Sequence, residues 1–497
     1  MADRYPMNHI RYPSLYQVNV RVWLTDLSIE LDRVTTLDDI PDDSLDAFVQ
    51  QGFDWIWLLS VWTIGDTGRK ISQENPVWRH EFEETLLDLV EDDIGGSGFA
   101  VAGYHVHPDL GGDEALKRLR ERLGDRGLKL MLDFVPNHMG PDHPWVNTHL
   151  AYFISGTEED IENNPLNYMR VKSKQGDRIL AHGRDPYFDG WPDTVQLDYS
   201  NPDVVEAMTN EMVRISGQCD GVRCDMAMLI LPDVFEKTWG RKAQAFWPAV
   251  IHAVREKNPD FCFMAEVYWD MESTMQQQGF DYAYDKRLYD RLHDGHADMI
   301  RDHFNTGLEY QDKLARFLEN HDEPRAAATF ELKKHEAAAV IIFLSPGLRF
   351  FHQGQLEGKL KRISPHLVRG PQEMPDPEIE KFYASLLTVI KKSIFRNGTW
   401  RLLACRPAWD GNGSWESFIA FAWEGADREL ALVVVNYAPD GAQCYLLLPF
   451  PDLATGQWQL HDIMHEVTYE RSGSDLLTKG LYLGMKPWQY HVFNVTK

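Results

Sequence analysis

Four times in this chain a short apolar run ends directly in acidic or other strongly polar residues. The segments are LKLMLDFVPNH (Leu128–His138), GVRCDMA (Gly221–Ala227), FCFMAEVYW (Phe261–Trp269) and ARFLENHDEPR (Ala315–Arg325). A strand that stays apolar along its length is buried on both faces, and a carboxylate at its end must reach water or a partner. A barrel of parallel strands meets both demands, because its C-terminal strand ends converge on one cleft. Such a barrel would gather Asp133, Asn137, His138, Arg223, Asp225, Glu266, His321 and Asp322 around a single hole.

The rest of the chain agrees with an α/β architecture. Strand-like runs fall at Val18–Leu24, Phe53–Leu59, Leu128–Val135, Gly221–Cys224, Phe261–Ala265, Phe280–Tyr284, Arg316–Leu318 and Leu348–Phe351. Amphipathic stretches lie between many of them, and Asp113–Leu123 carries apolar residues at helical spacing. Eight strands with interleaved helices predict a (β/α)8 TIM barrel, although an open doubly wound sheet gives the same periodicity. Two regions interrupt the alternation. Residues 140–202, after the third strand, are rich in Asp, Asn, Gly and Pro. From residue 398 the chain reads as turn-separated strands such as SFIAFAW (Ser417–Trp423) and ELALVVVNY (Glu429–Tyr437), the pattern of an antiparallel β domain. The expected division is a barrel from 1–139 and 203–397, an insert over 140–202 and a β domain over 398–497.

The formal charge of −26 repels phosphate backbones and anionic lipid, which argues against nucleic-acid and membrane partners but not against a neutral substrate. No apolar run approaches the ~20 residues that span a bilayer. The polar start, MADRYPMNHIRYPSLYQ, lacks the pattern of a signal peptide. Five cysteines with no CxxC pair (Cys219, Cys224, Cys262, Cys405, Cys444) argue against a disulfide framework or zinc site. The expected compartment is the cytoplasm.

Each candidate residue has an ordinary reading. An Asp after a strand commonly caps the next helix, and Arg223 with Asp225 could be a plain ion pair. Four such segments in one chain make the joint reading stronger. Cleaving a glycosidic bond takes one group to protonate the leaving oxygen and another to trap the oxocarbenium-like carbon. Asp225, two residues from Arg223, suits an ionised nucleophile. Glu266, flanked by apolar and aromatic residues, suits an acid of raised pKa that later serves as base. Asp322 is a third carboxylate, and His138 and His321 can bond hydroxyls. Trp62, Phe99, Trp191, Tyr268 and Trp269 are candidate stacking surfaces.

These segments resemble the signature regions of the α-amylase superfamily, glycoside hydrolase family 13: DFVPNH the first, GVRCD the second, MAEVY the third and FLENHD the fourth. TVQLDYSNPDVVE (Thr194–Glu206), SGFAVAGYHVHPDLGG (Ser97–Gly112) and GLRFFHQGQLEG (Gly347–Gly358) are similar to further family segments. The resemblance implies a catalytic barrel, a domain B inserted after the third strand and a C-terminal β-sandwich. It implies Asp225 as nucleophile, Glu266 as acid/base and Asp322 as transition-state stabiliser. His138, Arg223 and His321 would hold the sugar, with Phe99, Tyr104, Trp62 and Tyr268 as further substrate-binding residues and Asp133 and Asn137 as structural ones. The implied activity is retaining hydrolysis of α-glucosidic bonds in malto-oligosaccharides or small α-glucosides. A transglycosylase or a phosphorylase would use the same glycosyl-enzyme intermediate, and a non-catalytic carbohydrate-binding scaffold would be expected to lose carboxylates kept here. Phosphate would need a basic pocket, for which the insert offers Arg170, Lys172, Lys174, Arg178 and Arg184. Endo or exo action and oligomeric state stay open.

The chain departs from the family pattern at several points. Asp225 is followed by Met226, Ala227, Met228 and Leu229, where many α-amylases have a Lys-His pair that serves the aglycone and a calcium ion. Ala100 and Gly103 stand where carboxylates are common, and Leu356 follows Gln355 where a Glu is usual. Asn137 remains a calcium candidate, with Asp160, Asp185, Asp189 and Asp193 in the insert. No cofactor is expected. Melting temperature and activity should survive EDTA, and a loss of more than about 10 °C restored by calcium would reveal a stabilising ion.

Overall fold

A computed structural model of the chain describes residues 10–174 and 176–497; the first nine residues of the polar N-terminal stretch lie outside the described residues. Eight parallel strands close into a barrel: β1 (Ser14–Asn19), β2 (Trp55–Leu59), β3 (Lys129–Phe134), β4 (Gly221–Cys224), β5 (Cys262–Ala265), β6 (Tyr282–Tyr284), β7 (Leu314–Arg316) and β8 (Leu348–His352). Each pairs with its sequence neighbours, and β1 closes the ring by pairing with β8 from Ser14↔Arg349 to Gln17↔His352. Every residue of β2, β4, β5 and β8 is buried, as expected when helices cover the outer face and side chains fill the inner one.

The surrounding helices follow local signals. Gly112–Gly124 buries Ala115, Leu116, Leu119 and Leu123, the helical spacing legible in the sequence. Pro202–Ile215 starts with Pro at its first turn, and the Asn201 side chain accepts from Asp203 N. Two strand expectations are corrected. Val18–Leu24 alternates like a strand, yet β1 ends at Asn19, whose side chain accepts from Val22 N and caps a helix over Val20–Leu31. Arg21, the polar residue of that alternation, is buried with its guanidinium on the carbonyls of Gly96 and Pro365. The seventh strand is Leu314–Arg316 rather than Arg316–Leu318, because Arg316 turns its guanidinium to Asp285 and Pro346 O at the strand's end.

Between β3 and β4 the insert is tied down at its base, where His138–Met139 pairs with Val195–Gln196, and it projects a hairpin of Tyr168–Ser173 and Gly176–Ala181. After the barrel come two antiparallel sheets. One has six strands in the order Thr399–Leu402, Phe418–Glu424, Leu430–Asn436, Tyr490–Thr496, Gln457–Asp462, Val467–Ser472. The other has Cys405–Pro407, Ala442–Leu446 and Leu481–Met485. They enclose a second apolar core built on Phe418, Leu432, Leu446 and Phe493. Trp423 links this sandwich to the barrel. It is fully buried, donates from Nε1 to Leu344 O at 2.8 Å and meets Tyr12 edge to face at 5.1 Å. Trp423→Ala would leave a large cavity at that junction, worth about 3–5 kcal/mol. Calorimetry should show a lowered melting temperature; an unchanged one would contradict the role given to this contact.

Candidate active site

The site is assembled from strand ends. Asp133 lies in β3, Arg223 in β4, Asp225 directly after β4 and Glu266 directly after β5. Arg223 is the hub. It is buried, with Nη1 2.7 Å from Asp225 Oδ1 and 3.4 Å from Asp133 Oδ1, and Nη2 2.8 Å from Glu266 Oε1. Its Nε donates to Tyr284 OH at 3.3 Å, and its guanidinium lies 5.1–5.4 Å from the rings of Phe99 and Trp57. One planar fork therefore spans two carboxylates, a geometry suited to arginine and not to lysine.

Glu266 accepts three bonds: Arg223 Nη2 and Tyr268 OH (3.0 Å) on Oε1, and Met226 N (2.7 Å) on Oε2. Burial is the largest influence on it and raises its pKa to about 8; Asp225 and Asp322 add to the rise, against Arg223 and the Met226 N–H. Burial likewise raises Asp133 to about 7, against Arg223 and Trp57 Nε1. Asp322 is the open member of the group, with its side chain 43% exposed and its Oδ2 3.1 Å from His321 Nε2. His321 takes a bond from the Gln17 amide on Nδ1 (2.9 Å) and stacks on Phe99 at 5.4 Å, while burial holds its pKa well below the usual imidazole value. Burial also lowers His138, which stands 5.2 Å from the Trp191 ring. Both histidines are neutral at pH 7.

A cleft of about 330 Å³ opens onto this group. Phe99, His138, Asp225, Glu266, Tyr268 and Asp322 line it, and Arg223, Asp133 and His321 lie beneath its walls. Trp62 and Tyr104 are not on the cleft. Trp62 is buried and donates to Asp133 O (2.7 Å), and Tyr104 bridges Val135 by donating to its carbonyl (2.9 Å) and accepting from its N–H (3.0 Å). The two rings pack edge to face at 5.5 Å, so both brace the β3 end rather than touch a ligand. Asn137 is also buried, and its Oδ1 accepts from Gln196 Nε2 at 3.0 Å, so the oxygen a cation would need faces a donor. Arg170, Lys172 and Arg178 sit on the insert's hairpin and Lys174 next to it; Arg170 pairs with Glu158 and Arg184 donates to Thr238 O. None of the five lines the cleft.

The opposite wall escaped the sequence reading. Trp78 and Glu81 come from the helix Pro76–Thr85, and Arg362, Ser364 and His366 from the loop after β8. Glu81 pairs with Arg362, and Trp78 packs on His366 at 4.4 Å. These segments lie nearly 300 residues apart in the chain, and no local pattern joins them. Asp193, read as one of several loop carboxylates, is buried and lines the cleft. At the rim, Tyr187 and Trp269 meet edge to face at 5.0 Å.

The model of the α-amylase catalytic domain matches residues 75–379. The α-amylase 3 of Dictyoglomus thermophilum is 24% identical over 309 residues, covering 57% of this chain and 58% of that one. The α-1,4-glucan:maltose-1-phosphate maltosyltransferase 1 of Streptomyces coelicolor is 28% identical over 249 residues, covering 48% of this chain and 30% of that one. The matched stretches thus span less than two thirds of these relatives. Among solved structures, a maltogenic α-amylase from Thermotoga neapolitana superposes over 99% of both chains with a TM-score of 0.70 at 18% identity. The α-amylase of Geobacillus thermoleovorans covers 98% of this chain and 99% of its own with a TM-score of 0.66 at 19% identity. These two share the fold.

The raised carboxyls set a stability trend. Asp133 and Asp193, each at about 7, and Glu266, at about 8, keep protons that the unfolded chain releases near pH 4. Buried histidines such as His143, lowered to about 4 by burial, act in the opposite direction, but only up to the unfolded value near 6.5. Above about pH 6.5 the carboxyl effect is no longer opposed by these histidines, and His465, raised by its hydrogen bond to Asp462, acts in the same direction, so stability falls as pH rises. Melting temperature should decline between about pH 6.5 and 8.5, and a flat or rising profile would contradict the protonated inventory of the site.

Proposed function

This chain belongs to the α-amylase catalytic-domain family, and from that premise we propose that it is a retaining enzyme acting on α-glucosidic bonds of malto-oligosaccharides or small α-glucosides. The observation that carries the reading is the single guanidinium of Arg223, which holds Asp225 and Glu266 side by side at the floor of an open cleft. Asp225 attacks the anomeric carbon while Glu266 gives its proton to the leaving oxygen. In the second step Glu266 takes a proton from the incoming hydroxyl, which displaces Asp225 with a second inversion. The raised pKa of Glu266 suits the first task, and its bonds from Tyr268 and Met226 N–H suit the carboxylate left behind. Asp322 bonds sugar hydroxyls at the transition state, and His138 and His321 act as neutral hydrogen-bonding groups.

In this reading the acid, base and nucleophile are all carboxylates of the chain, and Asn137 Oδ1 accepts from Gln196 Nε2. Among the described residues no helix is long and apolar enough to cross a membrane, and all five cysteines are free. The free cysteines fit a cytoplasmic enzyme, and the formal charge of −26 disfavours nucleic-acid and anionic membrane partners. The identity of the incoming hydroxyl decides between hydrolysis and glycosyl transfer. Transfer is the second reading, favoured by relatives named as maltosyltransferases.

Asp225→Asn should fold normally and lose at least roughly a thousandfold in kcat, about 4 kcal/mol of transition-state stabilisation. The wild-type enzyme, followed by NMR before mutarotation, should release the α anomer first. More than about a tenth of wild-type rate in Asp225→Asn, or early β product, would overturn the assignment.

A further inference from the structure

We propose that Asp193 of the insert is a substrate-binding residue, whose carboxyl bonds hydroxyls of the sugar held beside His138. The inference rests on the proposed function and assigns the insert a specific part in it.

Asp193 is only 3% exposed, lines the cleft and has an Oδ2 without a hydrogen-bond partner. Two other buried aspartates of the insert are different. Asp185 Oδ1 accepts from Tyr187 N (2.6 Å) and Phe188 N (2.9 Å), and Asp198 takes Ser200 N (3.0 Å) and the Arg241 guanidinium. Those two are structural in the ordinary sense, since their oxygens satisfy backbone donors or a cation. Asp193 Oδ2 has no hydrogen-bond partner, and burial, opposed only by the residue's own backbone N–H, raises its pKa to about 7. A carboxyl left in that condition costs stability, unless a partner arrives with the ligand.

The backbone presenting it is rigid. Asp193 sits in a turn after Pro192, closed by Thr194 N and Thr194 Oγ1, both donating to Trp191 O (3.1 and 2.7 Å). The turn is pinned to the neighbouring segment by Trp191 N to Gly183 O (2.8 Å), Gly183 N to Thr194 Oγ1 (2.9 Å) and His182 Nδ1 to Thr194 O (2.9 Å). Gly183 lets that segment press against His138: a Cβ there would lie 2.8 Å from His138 Cβ. The carboxyl is therefore held on the His138 and Trp191 side of the cleft, with the N–H groups of Trp191, Thr194 and Gly183 already used. A fixed acceptor in a mostly dry wall matches vicinal hydroxyls of a pyranose.

Binding separates this from a structural role. In the full-length Asp225→Asn protein, calorimetry would measure maltotriose affinity before and after adding Asp193→Asn or, separately, Asp193→Ala. The expected result is a loss of roughly tenfold or more in affinity, as when a buried hydrogen-bond partner is removed, with melting temperature unchanged or raised. Affinity within about twofold of the parent would overturn the inference while leaving the function standing. So would a lowered melting temperature with unaltered affinity of the folded protein. If the Asp225→Asn parent itself bound none of maltotriose, trehalose and sucrose, the functional reading would fall and this inference with it.

Discussion

The site depends on one buried cation shared among more acids than it can neutralise. Arg223 contacts Asp225, Glu266 and Asp133 inside a cage of Trp57, Phe99 and Tyr284. Taking one guanidinium and three carboxylates out of water is unfavourable unless the charges nearly balance. The raised pKa values of Asp133 and Glu266 are the consequence: the cluster approaches balance by keeping protons. The same constraint that lets the barrel floor be buried leaves Glu266 able to act as an acid near neutral pH. Removing Arg223 would separate neither function cleanly, since it positions both carboxylates and compensates their charge.

The chemical half of the site was legible because it is local. Each carboxylate follows its own apolar strand by no more than a few residues, so strand, burial and position are read from one short segment. The barrel itself was legible for the same reason, apart from the bounds of β7 and from β1, where an alternating VNVRVWL run turned helical once Asn19 capped it. Aromatic residues next to the signature segments were harder to read. Trp62 and Tyr104 look like substrate-binding residues in sequence, but their polar atoms serve the Asp133 and Val135 backbone, and only tertiary packing decides that. The wall of Trp78, Glu81, Arg362 and His366 was illegible because it exists only where two loops meet across the barrel mouth.

The insert divides into residues that hold it and residues that face the cleft. Asp185 and Asp198 accept backbone hydrogen bonds inside the protein, and Gln196 Nε2 ties the insert's base to Asn137, which makes the wall stiff. Asp193 and Trp191 stand on that stiff wall within the cleft. Preorganised groups of this kind contribute to selectivity because they need not be ordered when the ligand arrives. The loss of the Lys-His pair after Asp225 fits the same picture: Met226 takes a left-handed backbone conformation and uses its N–H on Glu266.

The proposed mechanism requires Asp225 to form a covalent bond to an α-glucosyl unit. Incubation with 5-fluoro-α-D-glucosyl fluoride, followed by proteolysis and mass spectrometry, tests it directly, because the ring fluorine slows both steps while the anomeric fluoride, a good leaving group, keeps capture faster than release. One fluoroglucosyl unit per chain is expected, mapped to the peptide at Asp225 and absent from Asp225→Asn. A label on another carboxylate, or no time-dependent label in an enzyme that turns over α-glucosides, would contradict it.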